Sequence, residues 1–303
     1  MPFPPNLLDM HAKRKLEEPQ VISKNRTDTQ YQKVQAMDSN RIATKSIQDT
    51  MIRIYHGIVK RRSAYLTDQA LERLMIKCSS LDLNTGKPSD SGEVFITPFP
   101  TARIHEILEQ TKPWVEWELP SERSFTRMVS AMAILTCLVG YLYHDENDEK
   151  SLIDHTDWDT REMQFYKGER LYRSERNGTR HGPEWRVIKV LDKMDGRTPH
   201  ISCLLADDAP LRDHQLSNAE IWCILAMTYR RIQLPQYRNH IIPATVISAS
   251  DRKIRIVQGY VDGREGCLRV RKSPILDFEQ ITPEQIELVL SWCIGETVGS
   301  TKL

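Results

Sequence analysis

The alternation of apolar and polar positions changes character along the chain. Residues 1–45 are polar, carry Pro at 2, 4, 5 and 19 and hold no sustained period, so they read as a disordered arm. From Ser46 the period becomes helical: Ile47, Met51, Ile54, Tyr55 and Ile58 mark one face of an amphipathic helix. A second helix is expected from Thr67, with Leu66 and Leu71 at hydrophobic-staple spacing and Leu74, Met75 and Cys78 continuing its face. A turn-rich loop, Asp82 to Gly92, leads to an extended run at Glu93–Thr97, and a helix follows from Thr101 to Gln110. Ser121 to Tyr143 reads as one more helix, apolar almost all round.

The C-terminal part is punctuated more sharply. Trp185–Leu191 and His200–Ala206 are strand-like, as are Ile241–Ala249, Ile254–Val261 and Cys267–Val270, the last three joined by connections short enough for hairpins. Two capping boxes, Ser217-Asn-Ala-Glu220 and Thr282-Pro-Glu-Gln285, open helices to about Ile232 and Ile294. The order ββ-α-βββ-α specifies an α+β fold, a helical N-terminal region followed by a mostly antiparallel sheet with helices on one face. The expected organisation is a basic arm over 1–45, a helical region over 46–145, a charged connection over 146–183, an α+β domain over 184–296 and a tail over 297–303.

Charge sharpens this division. The 303 residues carry 42 Lys+Arg and 41 Asp+Glu, which argues against a dedicated nucleic-acid coat or a polybasic membrane binder. That neutrality is an average: residues 1–62 hold twelve Lys/Arg and six Asp/Glu, net +6, and the remainder holds thirty and thirty-five, net −5. Lys13, Arg14 and Lys15 form a compact basic cluster that fits a nuclear-import signal, although a solvated tail explains it better. Between Asp145 and Asp159 stand seven acids and one Lys, and between Arg161 and Arg180 six bases and three acids.

The sixteen uncharged residues Met128–Tyr143 fall short of the roughly 20 that a bilayer span needs, so a core helix is expected and no membrane partner. Six cysteines without a CxxC pair read as reduced thiols, and the start lacks the pattern of a secretory signal. Together these features point to a cytoplasmic, and with the basic cluster a nuclear, location.

Four patterns suggest chemistry. Asp82, Asn84, Gly86, Asp90 and Glu93 match positions of a calcium loop, but Lys87 stands where Gly makes the sharp turn. His144, Asp145, His155, Asp157 and Asp159 have metal-ligand chemistry without a geometry to fix it. A helix, three strands and a helix also outline the restriction-endonuclease-like core. That family holds a divalent metal with an Asp and a Glu-x-Lys on adjacent strands. Asp262 could serve as the Asp, but Cys267–Lys272 contains no Glu-x-Lys and Asp262-Gly263 suits a hairpin turn better. Tyr229-Arg230-Arg231 and Tyr237-Arg238-Asn239-His240 mix bases and aromatics as single-strand binders do, yet cations at a helix C-terminus explain them more simply, so no nucleic-acid partner is expected. No phosphate-loop, dinucleotide or hydrolase motif is present. No cofactor, metal site or catalytic residue is therefore assigned.

The residues Gln236-Tyr237-Arg238 with His240, Ile254-Arg255-Ile256-Val257-Gln258 with Tyr260, and Asp262-Gly263 make His214–Ile294 similar to a C-terminal region of uncharacterised fungal hypothetical proteins. The resemblance brings no activity with it. Some such proteins lie in biosynthetic gene clusters, which implies an accessory role in secondary metabolism. The expectation is a non-catalytic binding or accessory protein with a protein or small-molecule partner. The competing class is an enzyme whose active site is dispersed in sequence, either a biosynthetic tailoring enzyme or a degenerate nuclease-like fold.

Overall fold

The computed structural model describes residues 28–59, 61, 63–111, 126–143, 150–161, 172–173, 184–193 and 195–303. Lys13, Arg14 and Lys15 lie outside the described residues, as do His144 and Asp145 of the acidic run.

The first helix, α1 (Asp28–Val59), begins well before Ser46, inside the stretch read as an arm. Its expected stripe is the one that packs: Ile47, Met51, Ile54, Tyr55 and Ile58 are all buried. Helix α2 (Asp68–Arg73) starts at the expected cap, where the Thr67 hydroxyl accepts the Ala70 N–H at 3.3 Å. It then stops short of Cys78. Met75 takes φ of 56° and turns the chain into β1 (Ile76–Ser80), which pairs in parallel with β9 (Cys267–Lys272). Pairing with the sheet overrides the helical period there.

Between these elements run β2 (Ile96–Thr97), α3 (Thr101–Thr111), α4 (Arg127–Tyr143), a 3-10 turn (Leu152–His155), β3 (Trp158–Arg161) and β4 (Tyr172–Arg173). Then follow β5 (Trp185–Lys193), β6 (Ile201–Asp207), α5 (Asn218–Gln233), β7 (Ala244–Ser250) and β8 (Lys253–Asp262). After β9 come β10 (Leu276–Asp277), α6 (Pro283–Cys293) and β11 (Glu296–Thr297). Both capping boxes are formed, at Ser217/Glu220 and at Thr282/Gln285.

A nine-stranded mixed sheet runs β1-β9-β8-β7-β6-β5-β3, with β10 beside β8 and β4 beside β5. The β6–β7 and β1–β9 pairs are parallel and the others antiparallel, so the fold is α+β with a mostly antiparallel sheet. Helices cover both faces, where the sequence suggested one. Helices α1 and α5 share a core with Val190, Cys203, Leu205, Val246 and Val257. Helices α3, α4 and α6 share another with Leu191, Leu204, Ile247 and Ile256. These central strands are buried at almost every position, so each face needs an apolar cover. The apolar run 128–143 supplies part of it, burying Ala131, Ile134, Leu135, Leu138 and Leu142. No helix among the described residues is long and apolar enough to cross a membrane.

Candidate functional site

At the β3 edge of the sheet the backbone builds a cleft. Ser151 and Asp154 close a capping box in which the Ser151 N–H and Oγ both donate to Asp154 Oδ2, at 2.9 and 2.5 Å. Leu152 and Ile153 anchor this turn in the core, and the chain presents His155, Thr156 and Asp157 on its way into β3. The Thr156 hydroxyl donates to the Ile153 carbonyl and accepts the Trp158 N–H. Trp158 Nε1 donates to the Gly295 carbonyl at 2.8 Å, which ties β3 to the end of α6. Between these walls is a space of about 460 Å³ lined by Phe99, Lys150, Asp154, His155, Thr156, Asp157, Lys193, Ile294 and Glu296.

Lys193, the last residue of β5, is the unusual member. Its side chain is only 8% exposed, with the ammonium 5.2 Å from the Trp158 ring centroid. Its carboxylate neighbour, Asp157, is 77% exposed and stands 3.8 Å away. A buried ammonium with one loose, solvated counterion carries a desolvation cost that its surroundings only partly offset.

Two other buried cations, Arg255 and Arg231, are better held. Arg255 forks onto Glu220, with Nη2 2.7 and 2.6 Å from its two oxygens, and donates to the carbonyls of Arg212 and Gln215. Arg231 reaches Asp192 at 2.5 Å and the carbonyls of Thr198 and Pro199, and lies 4.3 Å from the Tyr237 ring centroid. The base-and-aromatic run at the end of α5 is therefore spent internally at Arg231 and Tyr237. These are structural clamps.

The other candidates resolve into turn chemistry. Asp82 Oδ1 accepts the N–H groups of Asn84 and Thr85, Asp90 Oδ1 accepts that of Gly92, and an irregular run to β2 follows Glu93 where a calcium loop needs a helix. Asp262 Oδ1 accepts from Arg264 and Glu265 within the hairpin turn, and its Oδ2 faces Arg269. His155 and Asp157 meet in the cleft, whereas Asp159 sits on β3, where its Oδ1 accepts the Thr160 N–H. Among the described residues no three His, Cys, Asp or Glu side chains are grouped so as to hold a metal ion.

Comparison with protein-family models, curated proteins and solved structures gives no match. The site has to be read from its own residues. The helix–three strands–helix order occurs where the sequence suggested it, as α5–β7–β8–β9–α6, with the short β10 before α6. Its strands do not carry the nuclease residues: β9 reads Cys-Leu-Arg-Val-Arg-Lys, and Asp262 is engaged by its own turn and by Arg269. Lys193 escaped sequence reasoning because its position on β5 looks like an ordinary strand-end cation. Only the packing of Trp158 and the 151–157 turn shows that it is buried.

Proposed function

We propose that this chain is a non-catalytic binding protein whose ligand is a small anion held in the cleft beside β5. The carrying observation is Lys193, a buried ammonium on the wall of an open cleft, whose ion-pair partner Asp157 is exposed and 3.8 Å away; Asp154 and Glu296 also line the cleft. An anion completes its coordination, and Lys150 adds a second cation at the rim. The cleft's one hydroxyl, Thr156, is turned to the backbone, so no nucleophile there is paired with a base. This supports binding over catalysis. The resemblance of 214–294 to fungal proteins extends the reading to an accessory role in biosynthesis, carried out in the cytoplasm. Metabolite profiling of a deletion strain tests that part.

Calorimetric titration of the full chain with inorganic phosphate and with acetate tests the binding. Saturable binding that weakens with salt and is lost in Lys193→Met is expected. Binding that survives Lys193→Met, or no binding of either anion, overturns the reading.

A further inference from the structure

On the α4/α6 face of the sheet, beside the cleft, a row of polar side chains crosses five strands in register. Ser79, Arg271, Gln258, Thr245 and Ser202 are successive cross-strand partners on β1, β9, β8, β7 and β6. Two positions along the same strands, the same face carries Leu204, Ile247 and Ile256. Polar residues at such positions break the apolar pattern of a sheet interior unless they have a task. A second row lies outside the first: Tyr260 pairs with Arg269, and Lys193 and His200 stand one step beyond the Asp192–Ile201 pair.

The rows are buried and incompletely paired. Ser202, Thr245, Gln258 and Arg271 are 0–1% exposed, and His200 is 2% exposed. Ser202 Oγ, Thr245 Oγ1, Gln258 Nε2 and Arg271 Nε make no well-formed hydrogen bond, while Gln258 Oε1 accepts from Arg271 Nη1 at 3.4 Å and His200 faces the Phe95 backbone. Arg271 does donate from Nη1 to the Glu93 carbonyl at 2.5 Å, and its Nη2 stands 3.5 Å from Asp90 Oδ1. Phe95 roofs the rows, its ring centroid 4.9 Å from that of Tyr260 and 6.2 Å from that of His200. A buried polar atom without a partner costs at least as much as a lost hydrogen bond, and native folds rarely gather several side by side. The unpaired set is rich in donors: an amide NH₂, a guanidinium N–H and two hydroxyls, beside a His200 imidazole that burial holds neutral, its pKa pushed down to about 3. A guest that satisfies them is rich in acceptors.

The rows also abut the cleft. Lys193 belongs both to the cleft lining and to the outer row, next to His200 on the neighbouring strand. From β5 to β7 is two strand spacings, about 10 Å. We propose that the cleft and this polar band form one site for a short dicarboxylic acid, with one carboxylate on Lys193 and the other on the hydroxyls of Ser202 and Thr245 and the amide of Gln258. Arg271, in the same row, supplies the countercharge for the inner carboxylate. This inference rests on the reading of the cleft as an anion site.

Calorimetry on the full chain with succinate, glutarate and acetate tests it. Succinate or glutarate is expected to bind at least tenfold more tightly than acetate. The double variant Ser202→Ala/Thr245→Val abolishes that preference and leaves acetate binding unchanged, whereas Lys193→Met weakens all three. Should the double variant not fold, Gln258→Met serves the same comparison. If the dicarboxylates bind no tighter than acetate, or the preference survives in the variants, the band holds only water and the inference fails while the cleft reading stands. If wild type binds none of the three, both fail.

Discussion

The two faces of the sheet differ in how tightly they pair buried charge. On the α5 face, Arg255 is bound by both oxygens of Glu220, and Arg231 meets Asp192 and neighbouring carbonyls. The carboxyl there that lacks a cation, Asp207, is pushed up to about 7, chiefly by burial, and so sheds its charge. Unpaired hydroxyls occur on that face too, at Ser248 and Ser250, which stand two positions apart on β7 with Ser248 opposite Arg255. On the α4/α6 face the unpaired atoms form a row across β6, β7, β8 and β9, next to a cleft. Polar groups that close on one another hold a fold together, while unpaired buried ones carry a desolvation cost.

The largest effect expected from this contrast is at Arg255. Arg255→Met strands the Glu220 carboxylate, which also accepts the Ser217 N–H, at 0% exposure. A loss of about 3–5 kcal/mol in urea denaturation is expected. Replacing both partners, Glu220→Met with Arg255→Met, should recover much of it, because two apolar groups leave no orphan charge. A double variant as unstable as the single one would show that the pair contributes more than mutual neutralisation.

The faces also titrate in opposite directions. Asp207 has its folded pKa raised from 3.8 to about 7, so its contribution to stability is complete below pH 4, declines as pH rises toward 7 and is flat above. Asp207→Asn removes that decline and should stabilise the protein at pH 8 by up to about 4 kcal/mol. On the other face His200 is lowered from 6.5 to about 3, so its contribution is complete above pH 6.5 and is lost as pH falls toward 3. His200→Gln should flatten the acid limb. Urea midpoints at pH 4.5, 6 and 8 for the two variants separate the slopes, and parallel slopes would break the comparison.

Much of the frame was legible in the sequence. The Ile47–Ile58 stripe, both capping boxes and the central strands all appear where the periodicity placed them, because each is a local pattern with a local cause. The failures are non-local. Cys78 reads as helix until β9 offers it a parallel partner, and helices on both faces follow from strands buried on both sides, which a one-dimensional pattern does not reveal. The site was less legible still. Ser202, Thr245, Gln258 and Arg271 are scattered over seventy residues, and only the register of four strands brings them into one row.

Smaller effects sharpen the comparison at the helix caps. Ser217→Ala disturbs a box whose Glu220 is also the Arg255 partner, and should cost about 1–2 kcal/mol. Thr282→Ala opens an exposed box on α6, and about 0.5–1 kcal/mol is expected. Equal costs would mean that the Glu220 network lends the first cap nothing.

The smallest stability change is expected where binding changes most. Ser202→Ala and Thr245→Val replace hydroxyls that have no protein partner with apolar groups of similar or smaller size. A hydroxyl that was stabilising the native state would cost about 1 kcal/mol or more to remove. One that was buried and unpaired costs nothing to lose, and its removal relieves a desolvation penalty, so each variant should stay within about 1 kcal/mol of wild type or exceed it. The same replacement made at a paired hydroxyl, Thr156→Val in the cleft turn, is the control and should destabilise, because it removes one donor from the Ile153 carbonyl and one acceptor from the Trp158 N–H. If Ser202→Ala and Thr245→Val lose as much as Thr156→Val, the band is held together by ordered water as tightly as the turn is by its own backbone, and the two faces of the sheet differ in their pairing but not in their purpose.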